Sequence, residues 1–416
     1  MSRFRTLLKN LGPGLLFASM AIGTSHLVLS TKAGATYGWL MVIPILLANL
    51  LKYPFFEYGI RYTNVTGRSL VEGYSRLGRG WMWLYAFITL VTTFTILAAL
   101  YVVTAGLLAN LFGISGVSVS LIALGLFAFI SAALIIGRYS LLETTLKFVV
   151  TILFAALLVT TVMVLYKAPV EAVEGFRRPP LMDSVGVLFL ISLIGWMPTA
   201  VEASSWISLW SLEKYKGKHG KPSLKDALQE FNTGYVTTAL LAVFFLVIGH
   251  RTLYGTGTEL SGNAVVFADQ VVQLFTTHIG DWAYIFIAVS AFATMFSTCM
   301  TAHDAIARVS IDVLEYLRPK RRQFGKRWHY AMAILVLTGV NFLVLTAFGA
   351  NMGNLVALAT FISFVMAPLV GYMNLKNVTG GDMPATAKPG RVLRVLTYAG
   401  ILFLSLFAAY YCWLLL

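Results

Sequence analysis

Apolar runs dominate this chain, and each is about as long as the hydrocarbon core of a bilayer demands. A window of about 20 mostly apolar residues, the length of a membrane-crossing helix, finds eleven of them: 11–36, 39–61, 82–109, 117–137, 147–166, 184–210, 229–250, 281–306, 329–349, 352–375 and 393–414. The runs are continuous rather than alternating, and about twice the length of a barrel strand. They predict an all-α polytopic membrane protein with 11 transmembrane helices.

Two runs are interrupted. The first reads MAIGTSHLVLSTKAGATYG, with Gly23, Thr24, Ser25 and His26 where hydrocarbon-compatible residues are expected. The sixth, LFLISLIGWMPTAVEASSWISLW, breaks at Gly195, Trp196, Met197 and Pro198. Proline removes a donor and clashes with the carbonyl four residues back, so it releases backbone groups from the helical ladder. Such groups survive at membrane depth only where they are buried in protein or line a cavity. A lone Gly or Pro is an ordinary packing kink in a membrane helix. Two breaks, each opening a set of five spans, point instead to the central site of a secondary transporter. Five helices reverse orientation, so spans one to five and six to ten form inverted repeats. The expected units are residues 1–170, residues 171–378 and an extra eleventh helix in 379–416.

Composition agrees with the pattern: 58% of the 416 residues are hydrophobic and 12% charged, where a soluble domain carries about 25% charged residues. The formal net charge of +14 raises the question of nucleic acid, but its distribution answers it. Eleven spans divide the loops into two alternating sets, one holding 25 basic residues and the other 5, with Lys52 left inside the second span. By the positive-inside rule this is a multi-pass protein of the cytoplasmic (inner) membrane, its N-terminus cytoplasmic and its C-terminus outside, with the lipid bilayer as partner and no nucleic acid. The short basic start MSRFRTLLKN precedes a run too long for a signal h-region, so the first span is expected to be retained. Cys299 and Cys412 read as isolated packing residues. Asn64-Val65-Thr66 and Asn377-Val378-Thr379 match the glycosylation pattern by chance, because both fall on the expected cytoplasmic side.

LGPGLLFASMAIGTSHLVLSTKAGATYGW resembles the first helix of the Nramp metal-ion transporters, which carry Gly-Pro, an Asp-Pro-Gly-Asn break and a Gly-Ala-x-Tyr-Gly ending. Gly12-Pro13 and Gly34-Ala35-Thr36-Tyr37-Gly38 match that frame, NVTGRSL is similar to the segment after helix two, and Met197-Pro198 fits the Met-Pro-His motif of helix six. The resemblance implies the LeuT-type 5+5 inverted-repeat fold with discontinuous helices 1 and 6. In its register the family's metal-binding Asp falls on Gly23 and its Asn on His26. The Met aligns with Met197, the first helix-six His with Thr199 and the second with Ser204, and the third span, TTFTILAALYVV, has no acid. A hard divalent ion wants carboxylates above all, and these substitutions remove them.

Candidate substrate-binding residues are therefore those around the two breaks: Gly23, Thr24, Ser25, His26, Ile194, Met197, Thr199 and Glu202. Ionisable groups inside a membrane are functional candidates by default, which singles out His26 and Glu202; Glu202 also suits a helix N-terminus as a plain dipole partner. Glu57 and Arg61 form a helix-face pair by spacing. His303-Asp304 close the eighth span near its cytoplasmic end, where a solvated interface role and a coupling role are both open. In SAFATMFSTCMTAHD, Thr294, Ser297 and Thr298 share one face. In transporters of the LeuT type, hydroxyls here and carbonyls at the helix-one break, from Met20 or Gly23, form a sodium site; the alternative is packing hydroxyls that bond back to their own helix. Ser223 and Asp226 resemble a helix N-cap with an acidic first turn.

An intramembrane enzyme needs a nucleophile and base that face each other, and the adjacent Ser25 and His26 do not. A channel needs a repeated filter or charged ring, and none is visible. The expectation is a secondary active transporter of a small solute, with sodium or proton as possible coupling ion, no enzyme activity and no cofactor. The helix N-termini suggest an organic anion or zwitterion as cargo. The runner-up is a divalent metal (Mn, Fe or Mg type) carrier with a remodelled site of His26, Met197, Glu202 and backbone carbonyls.

Overall fold

The computed structural model describes residues 17–18, 20–137, 154–167, 170–215, 220–318, 327–414 and 416. Every regular element among them is helical. Helical residues 17, 18, 20 and 21 lead through a bend at Ile22 and Gly23 into a π-helical Ser25–Ser30 and then α1 (Thr31–Tyr37). Gly38, at φ 73°, ends this element, because the left-handed region admits glycine without steric cost. A 3-10 turn (Gly38–Met41) opens α2 (Val42–Thr66). Then come α3 (Leu70–Leu77), α4 (Arg79–Phe112), α5 (Val119–Ile136) and α6 (Phe154–Tyr166). The sixth span is two helices, α7 (Ser184–Gly195) and α8 (Ala203–Tyr215). The chain continues through α9 (Leu224–Leu253), α10 (Ala264–Ile279), α11 (Tyr284–Leu317), α12 (Arg327–Ala347), α13 (Met352–Thr379) and α14 (Arg391–Leu414). Among the described residues eight helical stretches are long and apolar enough to cross a bilayer.

Burial sorts these helices into layers. The apolar windows of α4 and α11 are 72% and 78% buried, against 22% for α12 and 17% for α14. All four are similarly apolar, so hydropathy alone does not assign the core. On α12 and α14 the apolar side chains face outward, among them Leu335, Val336, Leu343, Leu402, Leu406 and Trp413. An exposed surface this apolar belongs against lipid.

Small residues bring the inner helices close. A Cβ on Gly34 would sit 2.0 Å from the Leu246 carbonyl oxygen, and one on Gly249 would sit 2.2 Å from that of Thr31. Thus α1 and α9 touch backbone to backbone, the contact that small residues permit between membrane helices. Gly195, the last residue of α7, leaves the same kind of gap for the Thr360 carbonyl oxygen of α13, 2.5 Å from a Cβ placed there. Helix α9 starts as the spacing of Ser223 and Asp226 predicts, with the Asp226 amide donating to Ser223 Oγ at 3.2 Å.

The structure corrects one position read from sequence. His303 and Asp304 are not at a solvated helix end, because α11 runs on to Leu317 and buries both. His303 Nδ1 meets the Tyr101 hydroxyl at 2.9 Å, and Asp304 accepts from Tyr330 Oη at 2.6 Å and from Arg308 Nε at 2.9 and 2.8 Å. Asn64 and Asn377 are buried and bonded to neighbouring helices, so neither is open to glycosylation. Cys299 is buried, while Cys412 lies exposed on α14.

Candidate functional site

Both interrupted spans are broken in the structure, each in its own way. In the first, the helix stops at Ile22 and Gly23 and resumes as a π-turn, so Thr24, Ser25 and His26 are already helical again. The Ser25 hydroxyl oxygen lies 3.1 Å from the Ala21 carbonyl oxygen, across the bend. Single π-turns of this kind recur at functional sites. In the sixth span, residues 196–202 are non-helical, a longer gap than the four residues around Pro198 predict. The Met197–Pro198 bond is cis. The gap is braced from α13 by Ser363 Oγ, which accepts from the Trp196 indole N–H at 3.0 Å.

The breaks meet. Ser25 Oγ also lies 3.3 Å from the Pro198 carbonyl oxygen, so the helix-one π-turn sits directly against the helix-six gap. Around this contact is a cavity of about 30 Å³, lined from the first helix by Met20, Ala21, Gly23, Thr24 and Ser25 and from the sixth by Trp196, Thr199, Ala200 and Trp206. Ile96 and Leu100 of α4 and Thr298 and Ala302 of α11 complete the wall. That volume suits about one water molecule or a bare ion. The lining has hydroxyls, indoles and main chain, but no titratable side chain.

Lys52 stands behind this wall. It is fully buried in α2, and its ammonium donates to the carbonyl oxygens of Ile194 at 2.9 Å, Gly195 at 2.9 Å and Thr199 at 3.1 Å. The last carbonyls of a helix have no partner in their own ladder and form the negative end of its dipole. Here Gly195 ends α7, so the ammonium caps that end and all three of its donors are used. Glu202, also buried, is its electrostatic neighbour across the gap. Neither carboxylate oxygen of Glu202 has a hydrogen-bond partner from another described residue.

The remaining candidates divide. Gly23, Thr24, Ser25 and Thr199 line the cavity, as do Met20 and Thr298 of the coupling-ion set. Ile194 contributes its carbonyl to Lys52. His26 turns away from the cavity, its Nε2 at 2.9 Å from the Thr238 carbonyl of α9 and its Nδ1 at 2.8 Å from Ser25 Oγ. Met197 is buried outside the lining. Thr294 and Ser297 are also outside it, and the Thr294 hydroxyl bonds back to Ser290 at 2.7 Å. Among the described residues no three His, Cys, Asp or Glu side chains come together as metal ligands. The first amides of α8 are occupied by carbonyls of residues 200, 201 and 202, so they are not free donors for an anion. Glu57 and Arg61 form the pair their spacing predicts, with Arg61 Nε 3.0 Å from Glu57 Oε1. Lys52 has no role in the sequence reading, although a lone cation at mid-span is the default signal of a functional site. Trp196 and Trp206 carry no comparable signal, because apolar side chains do not announce which of them face a cavity.

Two broken helices facing each other across a small central cavity define the architecture of LeuT-type membrane transporters. The crystal structure of a point mutant of the Eremococcus coleocola manganese transporter superposes with a TM-score of 0.72 over 97% of this chain and 86% of that one, at 13% identity. MhsT in complex with L-phenylalanine superposes with a TM-score of 0.64 over 96% of this chain and 98% of that one, at 16% identity. A nucleobase-cation-symport-1 family transporter, closed around bromovinylhydantoin, gives 0.58 over 97% and 92%, at 14% identity. Residues 14–414 match the model of the Nramp family, natural resistance-associated macrophage protein-like. The chain is also 30% identical over 403 residues to an uncharacterized protein of Pasteurella multocida (strain Pm70), covering 95% of this chain and 90% of that relative. This protein belongs to the Nramp family, and is a multi-pass membrane transporter rather than an enzyme.

Proposed function

We propose that the chain is a secondary active transporter of a small organic solute and not a carrier of hard divalent metals. One observation carries this reading. At the position where the Nramp pattern has its metal-binding Asp stands Gly23, and even a Cβ there would come within 3.0 Å of Thr298 Cγ2 and 3.2 Å of its Oγ1. The acid is missing, and a side chain in its place would press on Thr298 of α11. Hydroxyls and indoles are left to face the cargo, groups that suit an organic molecule better than an oxygen-hungry ion.

Residues 1–170 and 171–378 are the two repeats in this scheme, each opening with a broken helix, and 379–416 lies outside them. The central cavity in its present size is an occluded form, and an organic cargo requires the breaks to part. A second cavity of about 170 Å³, lined in part by Leu29, Lys32, Ser192, Ser261 and Met352, shares no lining residue with the first. It lies between helix ends on the side of the loops with few basic residues and serves as the outer vestibule. Coupling is to sodium, held at the cavity wall by Met20 and Thr298, or to protons.

A thermal-shift panel on the purified chain tests the reading. Small carboxylates or amino acids are expected to raise the Tm saturably, and manganese to leave it unchanged. Manganese stabilisation that is lost in Met197→Ala, with no response to any carboxylate, would instead establish the family's metal transport.

A further inference from the structure

The helix-six gap presents three carbonyl oxygens to one point, and the point is occupied by a side chain. Two of those oxygens belong to the C-terminal end of α7 and the third, from Thr199, to the gap itself. A ring of carbonyls at a broken helix end is how membrane transporters coordinate a dissociable cation. Here no free ion is needed, because α2 delivers an ammonium to the same oxygens at 2.9 to 3.1 Å. A buried ammonium is stable only with its donors satisfied and a counter-charge near. The carbonyls meet the first condition, and Glu202, buried within electrostatic reach but not in hydrogen-bond contact, is the acid available for the second.

We propose that Lys52 is a tethered replacement for a dissociable monovalent cation: the cup formed by the Ile194, Gly195 and Thr199 carbonyls is a cation site that the chain fills with its own ammonium. The split helix is then held together in every state of the transport cycle without an ion that must be bound and released there. Removing the side chain beyond Cβ converts the cup into a site for a free ammonium-like ion. The inference stands on the geometry of the gap and is independent of which solute is carried.

The test is chemical rescue of Lys52→Ala, prepared as the full chain in detergent and read by thermal unfolding rather than by transport. Its Tm is expected to fall below that of the wild type in choline chloride. Ammonium or methylammonium at constant ionic strength should raise it saturably by about 2 °C or more, with no equal rise in the wild type. Lys52→Met, whose apolar stem blocks the cup without charge, is expected to lose stability and to show no rescue. Should Lys52→Ala not survive extraction in choline, the readout becomes its yield of monodisperse protein with and without methylammonium. The proposal is overturned if Lys52→Ala melts at the wild-type temperature, if its response to these cations equals that of the wild type, or if methylammonium recovers no yield.

Discussion

A single missing side chain decides much at the centre of this molecule. Gly23 leaves room for the methyl and hydroxyl of Thr298, and the two helices close against each other there. Gly23→Ala brings a methyl into tight contact with Thr298, which must give by a few tenths of an ångström, and overpacking costs about 1–3 kcal/mol. The expected outcome is a lower Tm for Gly23→Ala, recovered when Thr298→Ala is added, because the second change removes the atoms the new methyl meets. Non-additivity in that double-mutant cycle would measure the contact directly; purely additive losses would mean the two residues do not touch. His26 makes the complementary point. Its place in the first break marks it as a cargo ligand in sequence, yet both ring nitrogens are engaged, one by a backbone carbonyl of α9 and one by Ser25. It ties the π-turn to α9 and fixes the Ser25 hydroxyl toward the ring.

At the scale of elements, what matters is how the broken pieces are held to unbroken ones. Helix α7 is capped by α2 through Lys52 and braced by α13 through Gly195 and the Trp196–Ser363 bond, so the gap is fixed on two sides. A second tether lies where the connector helix α3 meets the turn after α13. Arg76 Nη2 donates to Asp382 Oδ1 at 3.0 Å, and Arg68 Nη1 lies 3.5 Å from Asp382 Oδ2. The hydrogen bond from Arg76, with the charges of both arginines, holds the Asp382 carboxyl below its ordinary value. A carboxyl more acidic in the folded than in the unfolded state stabilises the fold above its unfolded value, about 3.9 for Asp. That contribution disappears as the pH falls through the depressed folded value. In Asp382→Asn the Tm at neutral pH is expected to drop slightly, and the acid limb of the Tm–pH profile to become shallower than in the wild type. Parallel acid limbs in the two proteins would show that the tether carries no pH-dependent stability.

At the scale of the whole molecule, the asymmetry of basic loops makes a prediction about insertion. With 25 basic residues in one set of loops and 5 in the other, the N-terminus is expected in the cytoplasm and the C-terminus outside. An alkaline phosphatase fused after Leu416 should be active and a fluorescent protein at the same place dark; the reverse result would invert the topology. The layered burial fits a carrier of this kind. Helices α4 and α11, at the centre, hold one wall of the cavity, and α12 and α14, on the rim, spend their apolar faces on lipid.

Much of this was legible along the chain, because lipid imposes a one-dimensional rule. A segment that crosses hydrocarbon must be apolar and must satisfy its backbone within itself, so long apolar runs mark the helices and polar or proline interruptions mark where they open. The breaks at Gly23 and Pro198, the start of α9 at Ser223 and the pairing of Glu57 with Arg61 all follow from local rules of this sort. Tertiary structure decided which polar groups meet. That Lys52 reaches carbonyls more than 140 positions away, that His26 looks outward from the cavity while two tryptophans look in, and that Thr298 fills the space beside Gly23 depend on how helices rotate and approach. Hydropathy fixes the depth of a residue in the membrane but not its azimuth, and a binding site is an arrangement of azimuths.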